Sequence, residues 1–191
     1  MENKRFRWHV INDHIKHIEN PIGAEIGVHR GECSGHLLEL HPGLKLYMID
    51  MWSSDTYKGK GDDAVTGPYR ELYQKQAEDN FFTARDRVEK LNAVIYKSSS
   101  LEAVSHFQDD MLDFAFIDAS HSYEDVKADI LAWREKIKPG GYLFLHDYGL
   151  FEGVTRAVNE IFGDEVIKFG EPELRLDAIE IDDDYMAVIK L

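Results

Sequence analysis

The chain has 191 residues, 36 acidic and 22 basic, with a formal charge of −14; the length suits one domain over 1–191 with a sizeable core, and the charge opposes nucleic-acid and anionic-membrane partners. A single cysteine excludes an internal disulfide and a metal-thiolate cluster. No run of about 18 apolar residues occurs, and no apolar segment follows the charged start, so the sequence reads as a soluble cytoplasmic protein.

Trp8, Ile11, Ile15 and Ile18 recur at intervals of three and four, which predicts an amphipathic helix over 6–19, ended by Asn20-Pro21. Short apolar runs near 24–28, 45–50, 93–97, 113–118 and 141–146 predict strands. Helical patterns separate them, and that alternation implies a parallel sheet covered on both faces.

The first strand runs into Gly27-Val28-His29-Arg30-Gly31, two glycines that let the chain turn tightly and bring bare backbone near a ligand before a helix begins. Dinucleotide folds use a third glycine for the pyrophosphate, so its absence favours a nucleoside without phosphates. Glu25, just before the loop, would repel a phosphate and pair with an ammonium group. Asp50, at the end of the second strand, is placed to accept hydrogen bonds from ribose hydroxyls. Together these point to S-adenosylmethionine, although a plain strand-to-helix turn with acids at exposed ends also accounts for them. Cys33 shares helical spacing with Leu37 and Leu40 and reads as part of a buried face.

Residues 53–68 are rich in Gly, Asp, Ser and Thr and lack apolar periodicity, which fits either a mobile lid or a surface loop. Tyr69 to Leu91 recovers helical patterning through Leu72, Phe81 and Val88. Trp52, Tyr57 and Tyr69 are candidates for an acceptor pocket or a homodimer contact, with a core role equally open for Tyr69.

The run 113–118 ends in Asp118 with His121 three residues on, and 141–146 ends in His146-Asp147. If the two strands are neighbours, four titratable groups converge at a sheet edge of the kind where ligands bind. Asp118, His146 and Asp147 offer two carboxylates and one imidazole, a set suited to Mg²⁺, Mn²⁺ or Fe²⁺. His121 is then left as a general base. Ordinary helix-start and turn roles remain open for both histidines.

A helix over 122–138 is predicted from Tyr123, Val126, Ile130, Trp133 and Ile137, with Ser122 and Asp125 resembling a capping box and Pro139-Gly140-Gly141 as its stop. The runs 165–169 and 185–190 read as strands paired antiparallel at one edge. Asp182-Asp183-Asp184 between them fits a solvated acidic turn or a metal cluster.

Taken together, the Glu25-to-Gly31 loop, Ile49-Asp50, Phe116-Ile117-Asp118 with His121 and Tyr123, Lys138-Pro139-Gly140-Gly141 and His146-Asp147-Tyr148 resemble class I S-adenosylmethionine-dependent methyltransferases. The resemblance runs from about Ile22 to Leu191 and is strongest to the small bacterial group near the catechol and macrocin O-methyltransferases. It implies a Rossmann-like three-layer α/β sandwich with a seven-stranded, mostly parallel sheet of order 3-2-1-4-5-7-6 and an antiparallel last strand. It also implies that Glu25, Gly27, Gly31 and Ser34 surround the methionine part of the cofactor and that Asp50 holds the ribose. Met51 would pack on the adenine, Ser99 and Ser100 would face it, and Asp118 would close the cofactor site. Relatives often have Gly-Asp-Ser where this chain has Ser98-Ser99-Ser100, so a hydroxyl must replace their acid. In metal-using relatives the ligand positions match Asp118, His146 and Asp147, and His121 matches a lysine base.

The implied activity is O-methylation of a hydroxyl on a sugar, a glycan or a small natural product, with divalent-metal assistance. Metal-free N-methylation and a non-catalytic module that binds the cofactor or its demethylated product are the alternatives.

Overall fold

The computed structural model describes residues 6–53, 68–163, 167–169 and 185–191, with the backbone alone at 68–74 and 167–169. Apart from its end residues, the suggested lid over 53–68 lies outside the described residues, as do Tyr57, the side chain of Tyr69 and the Asp182–Asp184 run.

The elements in chain order are α1 (Arg7–Ile15), β1 (Ile22–Ile26), α2 (Glu32–Leu40), β2 (Lys45–Asp50), α3 (Pro68–Val88), β3 (Ala93–Lys97) and α4 (Ser100–Ala103), which runs into a 3-10 turn at Val104–His106. They continue as β4 (Leu112–Ile117), α5 (Tyr123–Arg134), β5 (Ile137–His146), α6 (Glu152–Phe162), β6 (Ile167–Phe169) and β7 (Met186–Lys190). The strands form one seven-stranded sheet of order β3-β2-β1-β4-β5-β7-β6. β1 to β5 are parallel, and β7 inserts antiparallel between β5 and β6.

Side-chain alternation divides the core between the two faces. Tyr47, Ile49, Ala115, Ile117, Leu143 and Leu145 join buried residues of α5 and α6 on one face. Leu46, Met48, Phe114, Phe116 and Phe144 join those of α1, α2 and α3 on the other. Because both faces are covered, the central strands read as continuous apolar runs, as a doubly covered parallel sheet requires. Val10, Ile11 and Ile15 fix α1 to this second layer, and His14 meets the rings of Tyr142 and Phe144 edge-on.

Three local expectations are corrected. α1 ends at Ile15, short of residue 19. Cys33 and Leu37 are buried, but Leu40 is 45% exposed, so the apolar stripe of α2 stops a turn early. α5 ends at Arg134, and Ile137 with Pro139-Gly140-Gly141 belongs to β5. The pairing of Leu112 with Ile137 starts that strand early, and the register then slips before Phe114 meets Tyr142. Gly141 lies under the Asp113 carbonyl, where an added Cβ would come within 2.6 Å of the oxygen. Close strand approach, and not a helix stop, explains the glycine there.

Candidate active site

Strand order reverses between β1 and β4, and the crevice outside the carboxyl ends of β1, β2, β4 and β5 holds the candidate residues. The β1 and β4 ends are fastened to each other. The Asp118 amide donates to the Ile26 carbonyl at 2.8 Å, while the Gly27 amide ties the end of β1 to β2 by donating to the Ile49 carbonyl at 2.9 Å. Gly27 has φ +88, and a Cβ there would lie 1.9 Å from the Asp118 carbonyl oxygen. The first glycine is therefore required by the neighbouring strand end as well as by the turn.

On the β1–β2 side, Glu25 is buried and accepts a hydrogen bond from the Ser34 hydroxyl in the first turn of α2. Burial pushes its carboxyl up to about 8, the charge of Asp118 adds to the rise, and the Ser34 hydrogen bond and Arg7 oppose it. Asp50 accepts from the backbone amides of Val28 at 2.9 Å, His29 at 2.8 Å and Trp52 at 2.8 Å. A carboxylate has about four lone-pair sites, so this count leaves about one for a ribose hydroxyl.

Trp52, a sequence candidate for an acceptor pocket or a homodimer contact, is only 3% exposed. Its indole donates to the His29 carbonyl at 2.7 Å and meets Phe81 edge-on, so the Asp50 carboxylate and the Trp52 ring clamp the glycine loop together. Both His29 and Trp52 hold left-handed backbone, at φ +52 and +38. Such strain in residues other than glycine persists where the surroundings over-determine it. Gly31 has φ +71 and begins α2, with a virtual Cβ 3.1 Å from the Cα of Ala84 on α3. Met51 is exposed.

After β3, Ser99 caps α4 by accepting from the Glu102 amide at 3.3 Å. Ser100 turns inward: its hydroxyl donates to Asp129 and accepts from the Trp133 indole at 2.8 Å. That hydroxyl joins α4 to α5. The sequence reading passed over Asp129, whose acidic identity in mid-helix resembles a solvated face. It is buried, and burial raises its carboxyl to about 6 against the Ser100 hydrogen bond.

On the β4–β5 side, Asp118, His121, His146 and Asp147 do converge, lining one small cleft with Ala119 and Ser120. His121 Nε2 lies 2.8 Å from Asp147 Oδ2, with its ring stacked on Phe151 at 4.0 Å. His146 Nδ1 lies 3.1 Å from Asp147 and 3.4 Å from Asp118. Burial works against the charge of Asp147, but hydrogen bonds from His121 and His146 outweigh it and hold the carboxyl well below its ordinary range. Asp118 is lowered in the same way, with burial opposed by His146 and Arg7. Asp147 itself has φ +61, a backbone shape that aims its carboxylate between the two rings.

Sequence reasoning missed Arg7. Its guanidinium reaches from α1 to Asp118, with Nη1 2.7 Å from Oδ2 and 3.4 Å from His146 Nε2. No local pattern announces a contact spanning 111 positions.

Donor atoms of Asp118, His121 and Asp147 lie within 4.8 Å of one another, a spread that a cation bridges. The charge of Asp118 is nevertheless already matched by Arg7, and Asp147 is already engaged by hydrogen bonds from His121 and His146. A divalent ion on those oxygens would face a guanidinium at contact distance, where like charges about 4 Å apart repel by several kcal/mol. With Arg7 seated, the residues do not fit a divalent metal.

A sequence profile for the family described as Methyltransferase domain matches residues 24–148. Curated protein sequences give no match. Among solved structures, an O-methyltransferase from Bacillus cereus in complex with SAH shares 13% identity at a TM-score of 0.61, covering 97% of this chain and 80% of the other. An rRNA methylase from Streptococcus thermophilus shares 12% at a TM-score of 0.62, covering 97% and 96%. Spermidine synthase from Thermotoga maritima shares 15% at a TM-score of 0.55; all of this chain is covered, and it spans 61% of that enzyme's length. Among the described residues, no helix is long and apolar enough to cross a membrane.

Proposed function

Because the chain belongs to the methyltransferase-domain family and has the sheet of class I S-adenosylmethionine-dependent enzymes, we propose that it methylates a hydroxyl of a sugar or small natural product, with His121 as the proton acceptor. The observation that carries this reading is the His121–Asp147 pair at 2.8 Å in the cleft beside the β1–β4 switch point. S-adenosylmethionine, when bound, supplies an electrophilic methyl group on its sulfonium.

The β1–β2 side fits that cofactor. A buried carboxyl raised to about 8 gains strongly from an arriving ammonium, which would take over the charge that burial penalises. Glu25 and Ser34 would hold the amino-acid end, Asp50 the ribose, Met51 the adenine face, and Gly27 and Gly31 would keep the loop clear.

On the β4–β5 side, Asp147 would orient the imidazole of His121 through Nε2, and the ring would act as the proton acceptor. As the acceptor oxygen bonds to the methyl carbon and the carbon–sulfur bond breaks, the hydroxyl proton passes to His121 and S-adenosylhomocysteine leaves. Asp147 stabilises the imidazolium so formed. Holding the two reactants in one crevice supplies much of the acceleration. The charge of −14 argues for an acceptor that is not a polyanion, unlike the RNA acted on by the Streptococcus thermophilus neighbour.

The test is transfer of label from methyl-labelled S-adenosylmethionine across a panel of sugars, vicinal diols and amines. Hydroxyl-dependent S-adenosylhomocysteine release supports the reading. Release with amines alone would overturn the oxygen assignment, and cofactor binding without release on any acceptor would favour a binding module.

A further inference from the structure

Arg7 occupies the first helical position of α1, a helix with no acid in its first turn. The partial positive charge of a helix N-terminus disfavours a cation there, so another interaction has to hold it. Asp118 supplies that interaction at 2.7 Å, in a pair whose side chains are 27% and 21% exposed. α1 cannot easily drift from this contact. Val10, Ile11 and Ile15 are buried against the sheet, Phe6 stacks on Trp8 at 4.6 Å, and Trp8 stacks on His36 of α2 at 4.4 Å.

We propose that Arg7 is the resident cation of the β4–β5 cleft, taking at Asp118 the place that a divalent ion takes in a metal-using site. The chain thus supplies by a fixed guanidinium the positive charge that orients Asp118 and His146. Arg7 is a positioning residue, and the site is independent of metal. What the cation serves rests on the methyltransferase reading; its presence is tested without turnover.

Mn²⁺ titration followed by electron paramagnetic resonance reads the assignment directly. Wild type and Arg7→Lys, which keeps a cation, should show no saturable Mn²⁺ binding below about 1 mM. Arg7→Gln should uncover the donors of Asp118, His121 and Asp147 and bind Mn²⁺ about 100-fold more tightly than wild type, and adding Asp118→Asn should abolish that gain. Stoichiometric Mn²⁺ binding by wild type, or no gain in Arg7→Gln, would overturn the proposal. If Arg7→Gln fails to fold, restoration by Asp118→Asn supports mutual neutralisation, and failure of that rescue overturns it. S-adenosylhomocysteine binding by wild type is measured in parallel. Its absence would defeat the methyltransferase reading and leave the cation assignment standing.

Discussion

Glu25 lies on β1 and Asp118 just beyond the paired end of β4, yet their carboxyl groups are held in opposite states: burial drives Glu25 up to about 8, and His146 with Arg7 holds Asp118 below its ordinary range. The difference lies in the partners. Glu25 has a hydroxyl and Asp50 three backbone amides, all neutral donors, whereas the acids of the β4–β5 side face a guanidinium and two imidazoles. One side is short of a positive charge; the other already has one, with Arg7 neutralising Asp118.

The largest effect should come from the neutralised side. His121→Ala should lower kcat by about 10²–10⁴, and the loss should shrink at high pH, where an acceptor hydroxyl ionises without help. A deficit that ignores pH would make His121 a spacer and break the contrast.

On the other side, Asp50→Ala should weaken S-adenosylhomocysteine binding about 10- to 150-fold, the value of a hydrogen bond to a charged group. Because the same carboxylate holds Val28, His29 and Trp52, the melting temperature should also fall. Calorimetry showing unchanged affinity would place the ribose elsewhere.

Glu25 sharpens the contrast through pH. It must ionise to pair with an ammonium, so cofactor affinity should rise by about tenfold per pH unit until pH reaches about 8, then level off. The stability effect has the opposite sign. The folded state binds the proton more tightly than the unfolded chain, so the contribution is fully present below the unfolded value of 4.5 and is lost as pH rises to about 8. Glu25→Gln should flatten both profiles in titration calorimetry and thermal melts, and a pH-independent wild type would refute the assignment.

The smallest effect is that of Ser99→Ala, which removes a helix cap and should cost about 1 kcal/mol of stability in denaturant unfolding. A matching loss of cofactor affinity would add the adenine role; stability loss alone would confine Ser99 to the cap.

The sheet was legible because a doubly covered parallel strand is a short apolar run with punctuation, and Asp50, Asp118 and His146 close such runs. The convergence of Asp118 with His146 and Asp147 followed from strand adjacency. Arg7 was not legible, since the stripe through Trp8, Ile11 and Ile15 shows which side of α1 is buried and says nothing of where a polar side chain at its start reaches. Trp52 was misjudged because a polar neighbourhood in sequence resembles a loop, while its burial depends on Phe81, 29 positions on, and on the His29 carbonyl. The role of Ser100 was hidden for the same reason, its partners being two turns of a later helix.

The contact between Gly27 and the Asp118 carbonyl bears on how such a protein changes its substrate. Main-chain atoms at the ends of β1 and β4 set the spacing between the two halves of the crevice, so side chains facing the acceptor can be exchanged without shifting the residues around the cofactor. Under the proposed function, selection or engineering for a new acceptor would act at cleft residues such as Ser120, or at Phe151 stacked on His121, while the donor geometry is inherited unchanged. A β-carbon at residue 27 is the substitution that this inheritance does not tolerate.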